Sequence, residues 1–237
     1  SNTDAHYYIP FSETDNDETD KIADDWQKRT GYILDDDIFN EIYQKDVNNY
    51  IAVTNNGKVK FKGAIGLTQG LKVSKAIVSN AFINYVVSGK DYKEFIYECN
   101  ELRQFQMITK TGYTFDDTVY IDVNNNEHKA QKVNRVFAIK DSKKSVKLFK
   151  VKRASFMEYD DTTVTGLPNA PKYYTISNEA IGDGITLDEI DREYYIEEVE
   201  KLLVLWFGEN WKERIEQAHA KRNKLGYKTP SIRNYID

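Results

Sequence analysis

Residues 43–63 read YQKDVNNYIAVTNNGKVKFKG. Val47, Asn49, Ile51 and Val53 alternate with more polar neighbours, Asn55, Asn56 and Gly57 tolerate positive φ, and Val59 and Phe61 resume the alternation. That pattern predicts a β-hairpin. In its return strand Lys58, Lys60 and Lys62 fall on one face and Val59 and Phe61 on the other, because strand side chains alternate with period two. Three ammonium groups in a row repel one another unless something anionic lies along them. Gly63 then ends the row with a residue that lets a large partner approach the backbone closely. Two readings follow: a track for a polyphosphate strand, and a solvated edge strand that uses lysine against edge-to-edge pairing.

The 237 residues suffice for one large domain or two small ones. Hydrophobic residues at 40% and aromatics at 13% exclude a disordered chain, and the 17 tyrosines suit half-buried or stacking positions. No apolar run reaches the roughly 18 residues of a membrane span, and no signal-peptide pattern opens the chain. Cys99 is the only cysteine, which leaves no intrachain disulfide or cysteine-based zinc site; it is expected as a small core residue in a reducing, cytoplasmic setting. His6, His128 and His219 are too scattered for a histidine metal cluster.

The formal net charge of -5 conceals segregation. Residues 1–50 carry 13 acids against four basic residues, whereas residues 57–75 carry five lysines and no acid. Residues 127–153 carry ten basic residues against Glu127 and Asp141. Local field governs where a polyanion can sit, so the total does not exclude nucleic acid.

In chain order, His6 to Ile9 form a strand by composition, with Asp4 just before it, and a domain opening on a core strand suggests a cut from something larger. A helix is expected over 17–30, burying Ile22 and Trp26 and stopped by Gly31. A second helix follows, capped by Asp35 with Asp36 and Asp37 in its first turn, and with Ile38/Ile42 and Phe39/Tyr43 as stripes. Past a linker at 65–73, Ser74 caps a helix to about 88 that is stopped by Gly89. Another helix runs over 91–100, continued by a helical stretch at 101–108. A strand at 118–123 precedes two strands at 134–140 and 146–152, read as a second hairpin with Lys143 and Lys144 at its tip and Lys150 and Lys152 on one face. Residues 160–184 read as a long loop, 188–207 as the longest helix, and 210–225 as a basic helix with Lys221, Arg222 and Lys224 near its end.

The order of elements, with certain phrases, resembles the C-terminal palm of family B DNA polymerases encoded by phages and plasmids. Ser1-Asn2-Thr3-Asp4 is similar to the catalytic motif Asp-Thr-Asp, with Asn2 where that motif has its first aspartate. Tyr50, Lys60, Lys62 and Gly63 resemble the tyrosine and Lys-Gly that follow it, and residues 26–31 (WQKRTG) and 42–50 (IYQKDVNNY) resemble the phage branch. Asn48 stands where that family has a basic residue two before the tyrosine, which leaves Lys45 as a substitute phosphate contact.

The resemblance implies an α+β fold: partial palm strands with helices and a β-hairpin over 1–66, then a mixed helix and hairpin thumb-like domain over 67–237. It implies two-metal nucleotidyl transfer with Mg²⁺. Asp4 would be the catalytic and metal-binding carboxylate, and the remaining ligands would lie outside this chain. Primer-template DNA would contact Lys45, Tyr50, Lys60, Lys62, Gly63, Arg135, Lys143 and Lys144, and dNTP would bind in the complete enzyme. A monomer in the cytoplasm of a bacterial host, without membrane partners, is implied, and the chain alone would not polymerise. The other readings are a non-catalytic nucleic-acid-binding module and a protein-interaction domain whose acidic N-terminal third docks a basic partner.

Overall fold

The computed structural model describes residues 13–34, 38–63, 74–152, 163–167, 169–177, 184–227 and 229–230. The fold is α+β, as expected: among the described residues there are five α-helices and three antiparallel sheets. The chain divides into two compact units, Ser1–Ile38 and Phe39–Asp237. The expected strand at His6 to Ile9, Asp35 to Asp37 and the glycines at 66 and 70 lie outside the described residues.

The first unit contains helix α1 (Glu13–Thr30). It ends as anticipated, with the Gly31 N–H donating to the Gln27 carbonyl at 2.8 Å and with Lys28 and Arg29 in the last turn, where the dipole favours cations. The expected buried face is not there: Ile22 is 67% and Trp26 37% exposed, and no side chain over 17–30 is buried. Ile22, Ala23 and Trp26 are too few to make a broad apolar stripe in a helix otherwise dominated by charge. Trp26 instead stacks on Tyr32, ring centroids 6.1 Å apart.

The second unit opens with strands β1 (Phe39–Asp46), β2 (Asn49–Thr54) and β3 (Val59–Lys62) in the order β1-β2-β3. The β2–β3 hairpin is the one expected: Thr54 donates its N–H to the Lys58 carbonyl at 2.9 Å, and Gly57 turns the chain at φ +79. β1 corrects the expected second helix. Phe39, Ile42 and Tyr43 have helical spacing, but pairing with β2 puts buried Tyr43 and exposed Ile42 on opposite faces. β2 is the central strand, with Ile51, Ala52 and Val53 all buried.

Helices α2 (Ala76–Ser88), α3 (Tyr92–Glu98), α4 (Arg192–Phe207) and α5 (Trp211–Lys224) share the core with the inner face of this sheet. Phe82 of α2 meets Trp206 of α4 at 5.2 Å, and Tyr43 of β1 meets Phe207 edge-on at 6.5 Å. Residues on both sides of the segment at 64–73 therefore belong to one core cluster. Ser74 is not the α2 cap: Lys75 holds the N-cap position at φ 56, and the Ser74 hydroxyl accepts the Ile108 N–H at 3.1 Å. Asp91 caps α3, accepting the Lys93 and Glu94 N–H groups at 2.8 and 2.9 Å. The expected helical continuation is only a 3-10 turn (Leu102–Phe105), because Arg192 reaches across to the carbonyls of Ile96, Tyr97 and Cys99 and closes α3 there.

The other strands are β4 (Met107–Lys110), β5 (Asp117–Ile121), β6 (Glu127–Ala130), β7 (Val133–Ala138), β8 (Lys147–Lys152), β9 (Thr163–Gly166) and β10 (Tyr174–Ile176). They form sheets β10-β7-β4 and β6-β5-β8-β9. The second lysine hairpin is thereby overturned, since β7 and β8 belong to different sheets. Ile139 bridges to Ile190 and the Val146 N–H goes to the Tyr174 carbonyl at 2.8 Å, so the connection carries the chain from one sheet to the other. The long loop expected at 160–184 contains β9 and β10. The helix expected to be the longest starts later than expected, at Arg192, after a 3-10 turn (Leu187–Glu189), with Asp191 as its cap, and its 16 residues are fewer than the 18 of α1.

Candidate nucleic-acid interface

Residues opposed across an antiparallel pair point to the same face. Lys62 opposes Tyr50, which opposes Gln44; Lys60 opposes Ala52, which opposes Ile42. The outer face of the sheet thus carries Lys58, Lys60 and Lys62 beside Tyr50, Gln44, Ile42 and a buried Ala52, with all three lysines exposed. The Lys60 ammonium lies 5.9 Å from the centre of the Phe39 ring. The inner face is Glu41, Tyr43, Ile51, Val53, Val59 and Phe61, and all but Glu41 pack on the core.

One end of the sheet gathers the remaining expected contacts. Asp46 accepts the Asn48 N–H at 2.9 Å and the Asn49 amide at 2.8 Å, closing the β1–β2 turn. These bonds, the Asn49 side chain first, hold the Asp46 carboxyl below its ordinary range, and Lys45 pairs with it at 3.5 Å. Gly63 stands against this turn at φ +96; a Cβ there would lie 2.6 Å from the Asn48 carbonyl oxygen and closer still to the Asn49 amide. The close approach Gly63 permits is therefore to the chain's own turn.

The structure brings Lys45, Tyr50, Lys60, Lys62 and Gly63 together on this sheet and places the other expected contacts elsewhere. Arg135 lies on β7, opposite Ile108 of β4. Lys143 and Lys144 lie on the 3-10 turn Ser142–Lys144, where Lys144 pairs with Glu189 and Lys143 is exposed. Asp4 lies outside the described residues. Among the described residues no group of three or more His, Cys, Asp or Glu side chains could hold a metal ion. None of the described helices is long and apolar enough to cross a membrane. Cys99 is half-buried, and burial pushes its thiol up, away from the reactive thiolate.

Arg222, expected among the basic residues near the end of the last helix, is not a solvated cation: its side chain is 2% exposed. Its Nε donates to Glu41 Oε1 at 2.5 Å, and its Nη2 donates to Glu41 Oε2 at 2.8 Å and to the Tyr43 hydroxyl at 2.9 Å. The Tyr43 hydroxyl donates to Glu41 Oε2 at 2.6 Å. Burial first, then the Glu41 carboxylate, pushes the Tyr43 phenol well up. A signal in the sequence points to it: Trp211, Ile215 and Arg222 fall on one helical stripe, all buried.

Comparison with protein families, curated proteins and solved structures yields no match.

Proposed function

We propose that this chain grips primer-template duplex as part of a DNA-directed DNA polymerase of the phage and plasmid family B type, a reading that starts from the sequence resemblance at residues 1–66. The structural observation that supports it is the outer face of the β1–β2–β3 sheet: Lys58, Lys60 and Lys62 stand exposed on one face beside Tyr50, and acids are absent from β2 and β3. Phosphates neutralise such a row, and contacts to phosphate hold a duplex in place without reading its sequence. On this reading Lys60, Lys62 and Tyr50 lie along the primer backbone, and Lys45 stands beside them at the turn. Arg135, Lys143 and Lys144 would be secondary contacts at other places on the duplex.

The catalytic part of the proposal rests on Asp4 alone. In the complete enzyme, Mg²⁺ would supply activation of the primer hydroxyl and neutralisation of the triphosphate. The Asp4→Asn variant of the polymerase that carries this chain should lose primer extension while binding primed duplex as tightly as the wild type. Wild-type synthesis by that variant would remove the catalytic role and leave a nucleic-acid-binding module. Failure of the wild-type chain to bind primed DNA even at low salt would instead favour a protein-interaction role for its acidic N-terminal third.

A further inference from the structure

We infer that Arg222 is a positioning residue for the lysine row, acting from the opposite face of the sheet through Glu41 and Tyr43. This rests on the reading that the outer face holds a nucleic-acid backbone. Lys221 and Lys224, its neighbours in sequence, are exposed, whereas Arg222 is turned inward and cannot reach a phosphate. Its planar fork takes both oxygens of Glu41 and the hydroxyl of Tyr43, two successive inward positions of β1. Those positions continue across the sheet, Tyr43 to Ile51 to Phe61 and Glu41 to Val53 to Val59. Phe61 and Val59 are the residues flanking Lys60.

The clamp also sits beside an irregularity. The register of β1 against β2 shifts between Phe39 and Glu41, and Phe39 is the ring under the Lys60 ammonium. A bulge bends a strand and re-aims its side chains. Fixing Glu41 to the end of α5 fixes the bend, and with it the platform on which Lys60 rests. Tyr43 is held from a second side by Phe207 of α4, so its hydroxyl has one place to be.

Removing Arg222 alone strands the Glu41 charge, and that variant risks not folding. The decisive variant is therefore E41M/R222M, which replaces both charges by apolar chains of similar length; buried pairs replaced in this way commonly keep the fold. The chain carrying E41M/R222M should show faster amide hydrogen exchange over β1–β3 than wild type, with α2–α4 unchanged. Its affinity for primed duplex should fall about tenfold with a shallower salt dependence, and adding the change to K60A/K62A should cost nothing further, because the lysines it positions are gone. Wild-type exchange over β1–β3, or an affinity loss that adds in full to K60A/K62A, would overturn the inference. Should wild type not bind duplex at all, the duplex reading fails while the exchange comparison still decides whether Arg222 positions the sheet.

Discussion

At the scale of single residues, Gly63 and Gly57 separate two reasons for glycine. Both have positive φ, but a Cβ at Gly57 would meet nothing within 4 Å, while one at Gly63 would collide with the Asn48 carbonyl and the Asn49 amide. Gly57→Ala should therefore cost about 1 kcal/mol from backbone strain alone. Gly63→Ala should cost more, about 2 kcal/mol or above, because the β1–β2 turn must shift as well. Urea unfolding of the two variants checks this, and equal midpoints would mean that the turn yields freely. Sequence alone suggests that Gly63 makes room for a ligand; its nearest neighbour is the turn beside Tyr50. Residue types reveal that a close approach exists, but not what makes it.

Elements were legible where their signals were local. The β2–β3 hairpin and the stops at Gly31, Gly89 and Gly208 all follow from a few adjacent residues, whereas the start of α4, capped by Asp191, lies past the expected start at Asp188. What failed was settled by distant partners. Phe39, Ile42 and Tyr43 fit a helix by spacing until β2 pairs with them, and β7 and β8 look like one hairpin until Ile139 and Val146 find Ile190 and Tyr174. Tyr195 is a joint of this kind. Its hydroxyl donates to the Phe105 carbonyl at 2.6 Å and accepts the Ala138 N–H at 3.2 Å, tying α4 to the 3-10 turn before β4 and to β7. Tyr195→Phe leaves two buried backbone groups unpaired, at about 1–3 kcal/mol each. Thermal melting should fall by several degrees, and an unchanged melting temperature would mean that water replaces the hydroxyl.

For the whole molecule, the formal charge of -5 is a poor guide to what it binds. Acids concentrate in residues 1–50 and lysines on the outer face of one small sheet, whose inner face is part of the common core. Only part of the candidate site could be read from sequence. The alternation of lysines in β3 is a local pattern, but the buried Arg222 beneath it belongs to α5, far from β3 along the chain. On the proposed function Lys60 and Lys62 meet phosphates, and phosphate contacts are counted by salt. Binding of wild type and of Lys60→Ala with Lys62→Ala should be titrated between about 50 and about 200 mM salt on two primed duplexes of unrelated sequence. The slope of log affinity against log salt should become shallower by about 1.8 in the double variant, alike for both duplexes, since each phosphate contact contributes about 0.9. An unchanged slope, or a loss on one sequence and not on the other, would mean that Lys60 and Lys62 do not hold the duplex backbone.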